Sequence, residues 1–198
     1  LSENFFYLND DIFFGMPVDK NWWFDEGLKY FYDNEPHDEY DEMQSMLLSP
    51  INSSIQSKLW LKEKYSNYKH QNIALAHAPR PYRKSLLLEI EKKAIDLFNK
   101  VRSTNFRSWK TPAILVDFVP RWLKYHNYAE ITLTDSLYIE SGSSDIEIQL
   151  NLLSQKFGKI TFFCINDTCD DTDINDKRLI LVKEKLQKLL PKKSSFEK

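Results

Sequence analysis

The order of short apolar runs and amphipathic stretches predicts an α/β fold, because strands and helices alternate along the chain. Short apolar runs predict strands at Phe5–Leu8, Asn72–Ala76 and Lys159–Ile165, and a strand or hairpin at Glu130–Glu140. Helical spacing of apolar residues predicts helices at Asn52–Tyr68, Pro81–Val101, Pro112–His126 (bent at Pro120), Ser144–Lys156 (ended by Gly158) and Lys177–Leu190. We find no internal repeat or linker, and we therefore predict a single domain over residues 1–198.

Residues 16–50 are predicted to be irregular. Three prolines interrupt this segment, and an acidic run covers Asp33–Glu42. Long irregular segments are uncommon in compact domains unless they serve a function, such as covering a site. Three aromatic residues in this segment have two interpretations, either stacking on a sugar ring or packing in the core; they are Trp22, Trp23 and Phe24.

Two apolar runs end in the same polar chemistry. The first is followed by Asn9, Asp10 and Asp11, and the strand predicted at Lys159–Ile165 is followed by Asn166 and Asp167. Carboxylates at the open end of a strand can hold Mg²⁺ or Mn²⁺ against a diphosphate. The alternative for either segment is an acidic turn, since Asn and Asp are common turn residues. The repetition of the pattern favours a site for a metal-bound anion.

The charge is strongly segregated although the net charge is only −2. Residues 1–50 hold twelve acidic and two basic residues, whereas residues 80–110 hold nine basic and three acidic residues. Such asymmetry predicts that the two segments face each other, or face an anionic ligand with its metal. No basic stripe dominates, so we predict no nucleic-acid partner. The sequence contains no GxGxxG or P-loop motif, no transmembrane run, and no zinc or redox spacing at Cys164 and Cys169.

Three basic or imidazole side chains are candidates for phosphate chemistry. His77 lies between an apolar run and a predicted helix, and Arg80 follows within the approach to that helix, whose N-terminus can hold an anion. A lone histidine in such a place is more often structural or exposed than catalytic. Arg107 lies between Phe106 and Trp109, where it could bind phosphate or stack on the indole.

Four blocks together resemble the Stealth family of sugar-phosphate transferases. This family includes bacterial capsule and exopolysaccharide phosphotransferases and the α/β subunit of the lysosomal-enzyme N-acetylglucosamine-1-phosphotransferase. The blocks occur in the family's order, and the tail Lys193–Lys198 resembles the close of its last block. They are FFYLNDDIFFGMPV (Phe5–Val18), AHAPRPYRKSLL (Ala76–Leu87), FRSWKTP (Phe106–Pro112) and FFCINDT (Phe162–Thr168).

The resemblance implies a fold and a set of roles. The fold is a Rossmann-like, glycosyltransferase-A-like mixed sheet flanked by helices. The implied metal ligands are Asp10, Asp11 and Asp167; the implied donor contacts are Asn9, Arg80 and Asn166; the implied catalytic residues are His77 and Arg107. Arg80 replaces a bulky uncharged residue of many relatives. The chain also lacks the family's first block, so we expect the N-terminal part of the catalytic region to be missing.

The function implied by the resemblance is transfer of a hexose-1-phosphate from a nucleotide sugar to a sugar hydroxyl of a polysaccharide, with Mg²⁺ or Mn²⁺ as cofactor. We expect the acidic segments to converge with His77 and Arg107 in one crevice. The expected location is the cytoplasm, either free or associated peripherally with the inner face of the membrane. Two alternatives remain open, namely a metal-dependent glycosyltransferase and a non-catalytic fragment that binds a glycan or a protein partner.

Overall fold

A computed structural model describes residues 2–106, 108–169, 173 and 175–192, without the side chain of Asn34. The strands are β1 (Asn4–Tyr7), β2 (Ile12–Phe14), β3 (Leu28–Pro36), β4 (Ile73–Leu75), β5 (Arg80–Arg83), β6 (Ala129–Thr132), β7 (Leu137–Glu140) and β8 (Phe162–Asn166). The α-helices are α1 (Lys20–Phe24), α2 (Ser49–Lys64), α3 (Lys84–Lys93), α4 (Ile95–Arg102), α5 (Val119–Tyr125), α6 (Ile146–Lys156) and α7 (Lys177–Leu189). A π-helical turn at Ile114–Phe118 leads into α5, so the helix changes its winding just before Pro120.

The chain forms two compact units. The first unit comprises the chain up to Tyr7 together with Asp19–Thr134. The second unit comprises Leu8–Val18 and the chain from Asp135 onward. Each unit combines strands with helices, and the prediction of one catalytic domain over the whole chain stays a prediction.

Two small sheets form the first unit. Strand β3 lies at the centre of one, antiparallel to β4 and parallel to β6, and β1 pairs with β5 antiparallel in the other. The centre of β3 is buried on both faces, which suits a run of apolar and aromatic side chains. Helices α2 and α5 supply Leu61 and Trp122, both fully buried, to the core of the unit.

The prediction that residues 16–50 are irregular is wrong. They contain α1 and the nine-residue β3. Asp19 caps α1 by accepting bonds from the backbone N–H of Asn21 and Trp22. Asp33, Glu35 and Pro36 lie in β3 itself but after its buried part, so they do not prevent the strand. Of the three aromatics with two interpretations, Trp23 and Phe24 are core residues, and only Trp22 is partly exposed, at 37%.

The prediction of one long helix at Pro81–Val101 is also wrong. Pro81 lies in β5, where its Cα is opposite that of Phe6, and the helical part begins at Lys84 and breaks at Ala94. A two-stranded sheet consists of edge strands, which tolerate a proline because they need not donate every ladder bond. Residues 80–83 are therefore extended, and the helix begins three residues later than the sequence predicts.

The second unit is built on a three-stranded sheet. Strand β8 is central, antiparallel to β2 and parallel to β7. The core lies between this sheet and α6, and α7 packs against the same core through partly buried apolar side chains. Gly158 follows α6 with a φ of +83°, which confirms the predicted helix end. The core residues are Ile139, Ile146, Leu150, Leu153, Ile160, Phe163 and Ile165.

The predicted α/β class, with mixed sheets flanked by helices, is confirmed. The predicted hairpin alternative for Glu130–Glu140 is not what forms, because β6 and β7 join different sheets. No helix in the described part of the chain is long and apolar enough to cross a bilayer.

Candidate functional site

The two acidic segments predicted from the sequence meet where the strands of the sheet in the second unit end. We call this end of the sheet the acidic edge; it comprises Asn9, Asp10, Asp11, Asn166 and Asp167. Because β2 runs antiparallel to β8, the start of β2 lies beside the end of β8, and the end of the parallel strand β7 lies there too. The backbone N–H of Ile165 donates to the carbonyl of Asp11 over 2.9 Å, which extends the ladder to this edge. The carboxyl ends of strands in open sheets are the usual positions for ligand contacts.

Asp11 is half-buried at this edge and has a thiol as a neighbour. The Sγ of buried Cys164 donates to Asp11 Oδ2 over 3.2 Å. Cys164 otherwise lies among apolar residues of β8, so this is a polar contact within an apolar strand. The contact from this β8 residue orients the Asp11 carboxylate.

Asp167 is exposed, and its carboxylate is hydrogen-bonded by a residue that follows the neighbouring strand β7. Its Oδ1 accepts from Ser141 Oγ and from the backbone N–H of Cys169, both over 3.0 Å. Ser141 is buried and also accepts from the backbone N–H of Thr168 over 3.1 Å. Gly142 is needed beside it, because a Cβ at that position would lie 2.7 Å from the carbonyl oxygen of Thr168. This arrangement leaves Asp167 Oδ2 as the oxygen most available to a ligand.

Asn166 is oriented by a tyrosine. Its Nδ2 donates to the hydroxyl of Tyr138 over 2.8 Å, so its Oδ1 faces away from that bond as an acceptor. Burial raises the pKa of Tyr138, and the nearby Cys164 acts in the same direction. The phenol therefore stays protonated at neutral pH.

Asn9 and Asp10 complete the acidic edge. Asp10 is exposed and makes no hydrogen bond or ion pair with any residue that the structure describes, while the Asn9 carbonyl accepts from the N–H of Ile12. The edge thus presents carboxylate and amide oxygens from five residues, which are the ligands that Mg²⁺ and Mn²⁺ prefer. The residues fit a hard divalent cation; they are Asn9, Asp10, Asp11, Asn166 and Asp167.

His77 and Arg80 belong to the first unit. His77 is half-buried and follows β4, and Arg80 opens β5 with only 5% of its surface exposed. Arg80 Nη2 donates to the carbonyl of Ala76 over 2.9 Å, and Nη1 donates to that of Ala78 over 3.1 Å. The guanidinium thus binds the backbone on both sides of His77. Arg80 precedes the N-terminus of α3 by four residues, but it lies in β5 and not in the helix. The predicted anion contact at Arg80 stays a prediction.

The remaining sequence predictions lie beyond what the structure describes. Arg107 and the tail Lys193–Lys198 are outside the described residues. The predicted convergence of the acidic edge with His77 and Arg107, and the roles of all these residues, stay predictions.

Three residues that contribute to the acidic edge were missed in the sequence. Ser141 and Tyr138 orient the side chains of Asp167 and Asn166, and Gly142 allows the close approach of the Thr168 backbone. The Ser-Gly pair after the alternating run Leu137–Glu140 was the available signal, since a small-residue turn after a strand often lies at a ligand site. The partners of this pair, Asp167 and Thr168, follow β8 and are distant in sequence, so the pairing was not visible.

Comparison with known proteins identifies relatives of one kind, although no family profile matches the chain. The chain is 25% identical over 210 residues to the capsular polysaccharide phosphotransferase SacB of Neisseria meningitidis serogroup A, covering all of this chain and 37% of SacB. It is 28% identical over 236 residues to the capsular polysaccharide phosphotransferase WcwK of Streptococcus pneumoniae, covering all of this chain and 65% of WcwK.

A third relative has the same kind of name. The exopolysaccharide phosphotransferase CpsY of Mycobacterium tuberculosis is 26% identical over 175 residues, which cover 84% of this chain and 31% of CpsY. The chain therefore spans between about a third and two thirds of the length of these three relatives. These similarities confirm the predicted relationship to bacterial capsule and exopolysaccharide phosphotransferases.

Proposed function

We propose that this relative of the capsular polysaccharide phosphotransferases transfers a hexose-1-phosphate from a nucleotide sugar to a sugar hydroxyl of a growing glycan. The acceptor oxygen forms a bond to the sugar-bearing phosphorus, and the P–O bond that bridges the diphosphate breaks. The bridging oxygen leaves with the nucleoside monophosphate, and the acceptor proton passes to a base. The C–O bond of the donor sugar stays intact, so its anomeric configuration is retained.

The observation that carries this proposal is the acidic edge of the second unit. Two segments more than 150 residues apart bring carboxylates and amides to one sheet edge. Asp10 and Asp167 are exposed there, and Asp11 is half-buried. An arrangement of like charges costs stability and is expected where a cation compensates it. The relatives named capsular polysaccharide and exopolysaccharide phosphotransferases support a reaction on a phosphate-bearing substrate.

In this proposal Asp10, Asp11 and Asp167 hold Mg²⁺ or Mn²⁺, and Asn9 and Asn166 bind the donor. The bound ion would neutralise the charge of the donor diphosphate and so make the departing nucleotide a better leaving group. Ser141 and Cys164 act before the reaction, because their bonds hold the Asp167 and Asp11 carboxylates in place.

His77 is proposed as the general base and Arg107, with Arg80, as the group that stabilises the phosphoryl oxygens. The two hydrogen bonds that Arg80 donates to the Ala76 and Ala78 carbonyls support a further role for Arg80 in positioning His77. We also propose that the protein acts in the cytoplasm or peripherally at the inner face of the membrane.

The experiment that tests the reaction type is identification of the released nucleotide. The intact protein is incubated with Mg²⁺, an acceptor glycan and a panel of nucleotide sugars, and the products are separated by ion-exchange chromatography. A nucleoside monophosphate supports phosphosugar transfer. A nucleoside diphosphate would instead support the glycosyltransferase alternative. Binding of glycan without metal and without affinity for any nucleotide sugar would support a non-catalytic module.

The role of His77 is tested by the variant His77→Ala. Loss of a general base lowers kcat typically by about 10²–10⁴-fold, while the KM for the donor changes little. His126→Gln is a matched control, since this histidine lies among Tyr65, Trp122 and Tyr125 and has no proposed role. Near-wild-type turnover by His77→Ala would exclude the base role.

A further inference from the structure

A cavity of about 260 Å³ lies within the first unit, apart from every residue assigned a role above. It opens between the loop that follows α2 and the C-terminal half of α5, with one side chain from β3. The lining consists of Tyr32, Asn67, Tyr68, Lys69, Gln71, Arg121, Lys124 and Tyr125. Rings, amides and cations line it, and none of the lining residues carries a carboxylate.

The positive charge of the cavity comes from two lysines. Arg121 forms the floor, but its charge is compensated by Asp117, whose Oδ1 lies 2.9 Å from Arg121 Nε. Lys124 Nζ donates to Tyr32 Oη over 3.0 Å and to Gln71 Oε1 over 2.8 Å, both neutral acceptors. Lys69 is exposed and has no ion pair with a described residue. The two ammonium groups are therefore available to an anion.

The tyrosines supply flat surfaces and neutral donors. Tyr125 Oη donates to Asn67 Oδ1 over 2.6 Å, and the rings of Tyr68 and Tyr125 lie 5.8 Å apart. Burial raises the pKa of Tyr68, so its phenol stays protonated and cannot repel an anion. Tyrosine rings offer apolar faces for the C–H face of a sugar ring, and the amides of Asn67 and Gln71 suit its hydroxyls.

We propose that this cavity binds a phosphate-bearing sugar residue of the acceptor glycan. Identifying the ligand as the acceptor rests on the proposed function, because a hexose-1-phosphate transferase builds a glycan that carries phosphate in every unit it adds. The volume suits one sugar residue with its phosphate. The donor is a less suitable ligand, because its diphosphate is handled with a metal and the cavity lacks carboxylates.

The binding test uses glucose 6-phosphate as the probe, with glucose and inorganic phosphate as separate arms, by titration calorimetry on the intact protein. We expect glucose 6-phosphate to bind at least about tenfold more tightly than either part. The variant Lys69→Gln/Lys124→Gln should lose at least about tenfold in affinity and most of the salt dependence of binding. Lys92→Gln/Lys100→Gln, which removes the same charge from α3 and α4, should bind as the wild type does.

Three binding results would overturn the inference. They are the absence of glucose 6-phosphate binding by the wild type, equal loss in the control variant, and binding of phosphate alone as tight as that of the sugar phosphate. Circular dichroism of both variants verifies that they are folded. The test does not require turnover, so it decides whether the cavity binds a sugar phosphate even if the protein transfers no phosphosugar.

The kinetic test connects the cavity to the acceptor. In Lys69→Gln/Lys124→Gln we expect the KM for a phosphate-containing acceptor to rise about tenfold, with the KM for the donor at its wild-type value. A rise in the donor KM, or no change in either KM, would overturn the inference while transfer itself continued. Release of a nucleoside diphosphate by every variant would instead refute the proposed function and leave the binding result standing.

Discussion

Charged side chains are arranged in opposite ways in the two units. In the first unit, Asp117 and Arg121 are both almost fully buried, at 3% and 2% exposure, and each has several hydrogen-bond partners. In the second unit, Asp10 and Asp167 are exposed, and Asp10 has no partner among the described residues. The first arrangement satisfies every charge internally, whereas the second presents like charges to whatever binds the sheet edge.

The network of the first unit is centred on Ser54. Its Oγ lies 3.1 Å from His37 Nε2, 3.0 Å from His70 Nε2 and 3.1 Å from Arg121 Nη2. His37 Nδ1 faces the carbonyl of Asp38, so it carries the proton and Nε2 accepts from Ser54. Ser54 then accepts from Arg121 and from His70, and every donor has an acceptor. Such a closed network fixes one arrangement of its parts.

The comparison distinguishes charged residues that stabilise the fold from charged residues that are proposed to bind a ligand. A buried pair contributes to stability only while both partners are present, because the lone charge would be buried without compensation. Exposed like charges do not stabilise the fold and cost some stability, and they are expected where a ligand needs them. We therefore expect substitutions in the network to change stability and substitutions at the acidic edge to change activity.

The largest expected effect is loss of activity in Asp10→Asn. The change keeps the shape of the side chain and removes one carboxylate from the acidic edge. We expect turnover to fall at least about 100-fold, since a direct metal ligand should matter more than the outer contacts that cost about 10–100-fold. The midpoint of urea unfolding should equal that of the wild type or lie slightly above it, because one of several like charges is removed. Glu147→Gln, an exposed acid on α6, serves as the control and should keep full turnover.

Magnesium provides a second readout of the same variant. A cation that binds only the folded state raises the melting temperature, so Mg²⁺ should stabilise the wild type and stabilise Asp10→Asn much less. Equal stabilisation of both proteins, with turnover unchanged, would mean that the acidic edge is an ordinary turn.

The next effect in size is loss of stability in Asp117→Ala. This change leaves the Arg121 guanidinium buried without its carboxylate and should cost about 3–5 kcal/mol of unfolding free energy. Denaturation in urea measures the loss. The double variant Asp117→Leu/Arg121→Met should recover part of it, because it removes both charges together.

A matched exposed pair controls for this measurement. Glu89 and Lys93 have the same four-residue spacing on α3 and an N–O distance of 2.8 Å, but both are exposed. Glu89→Ala should cost only a small fraction of the Asp117→Ala loss, since solvent screens exposed pairs. Equal losses in the two variants would contradict the distinction drawn between buried and exposed charges.

The smallest of the three effects is a change in pH dependence at His70. Burial, aided by the charge of Arg121, lowers the pKa of His70 to about 2. The unfolded chain takes up this proton near the ordinary pKa of 6.5, so the unfolded state binds more protons and stability falls as the pH drops from 6.5 toward 2.

The variant His70→Gln tests this dependence, because glutamine can hydrogen-bond without titrating. Between pH 7 and pH 5 the wild type should lose about 2 kcal/mol more than the variant, at about 1.4 kcal/mol per pH unit below the unfolded pKa. The same urea series at both pH values measures the difference. His126, whose pKa burial also lowers but which is far less buried, should give a smaller difference when changed to Gln. Parallel losses in wild type and His70→Gln would show that His70 does not cause the dependence.

Local patterns were sufficient to predict several elements. Apolar runs predict β4 and β8, and amphipathic repeats predict α6 and α7. All four elements form within a few residues of the predicted bounds. The two Asn-Asp segments were also visible, because charged residues directly after apolar runs contrast with their surroundings. That they share one edge depends on the antiparallel pairing of β2 with β8, which no local pattern contains.

Other elements were missed because tertiary pairing overrides local preference. The C-terminal part of strand β3 contains two acids and a proline, yet neighbours on both sides bury its centre. Residues 80–83 pair with β1, more than 70 positions earlier, so Pro81 belongs to a strand. Ser54 and its two histidines gave no signal, since three distant loops and helices must fold before their side chains meet.

The two hydrogen bonds of the Arg80 guanidinium determine which residues can replace Arg80. One planar group reaches the carbonyl oxygens of residues 76 and 78, so the peptide carrying His77 is bracketed from a single point. A lysine would keep the charge but has one nitrogen, which cannot span both oxygens in a fixed geometry. Tolerance at position 80 is thus governed by the shape of the side chain more than by its charge, and a bulky neutral side chain would support the same segment by filling space instead of bridging it.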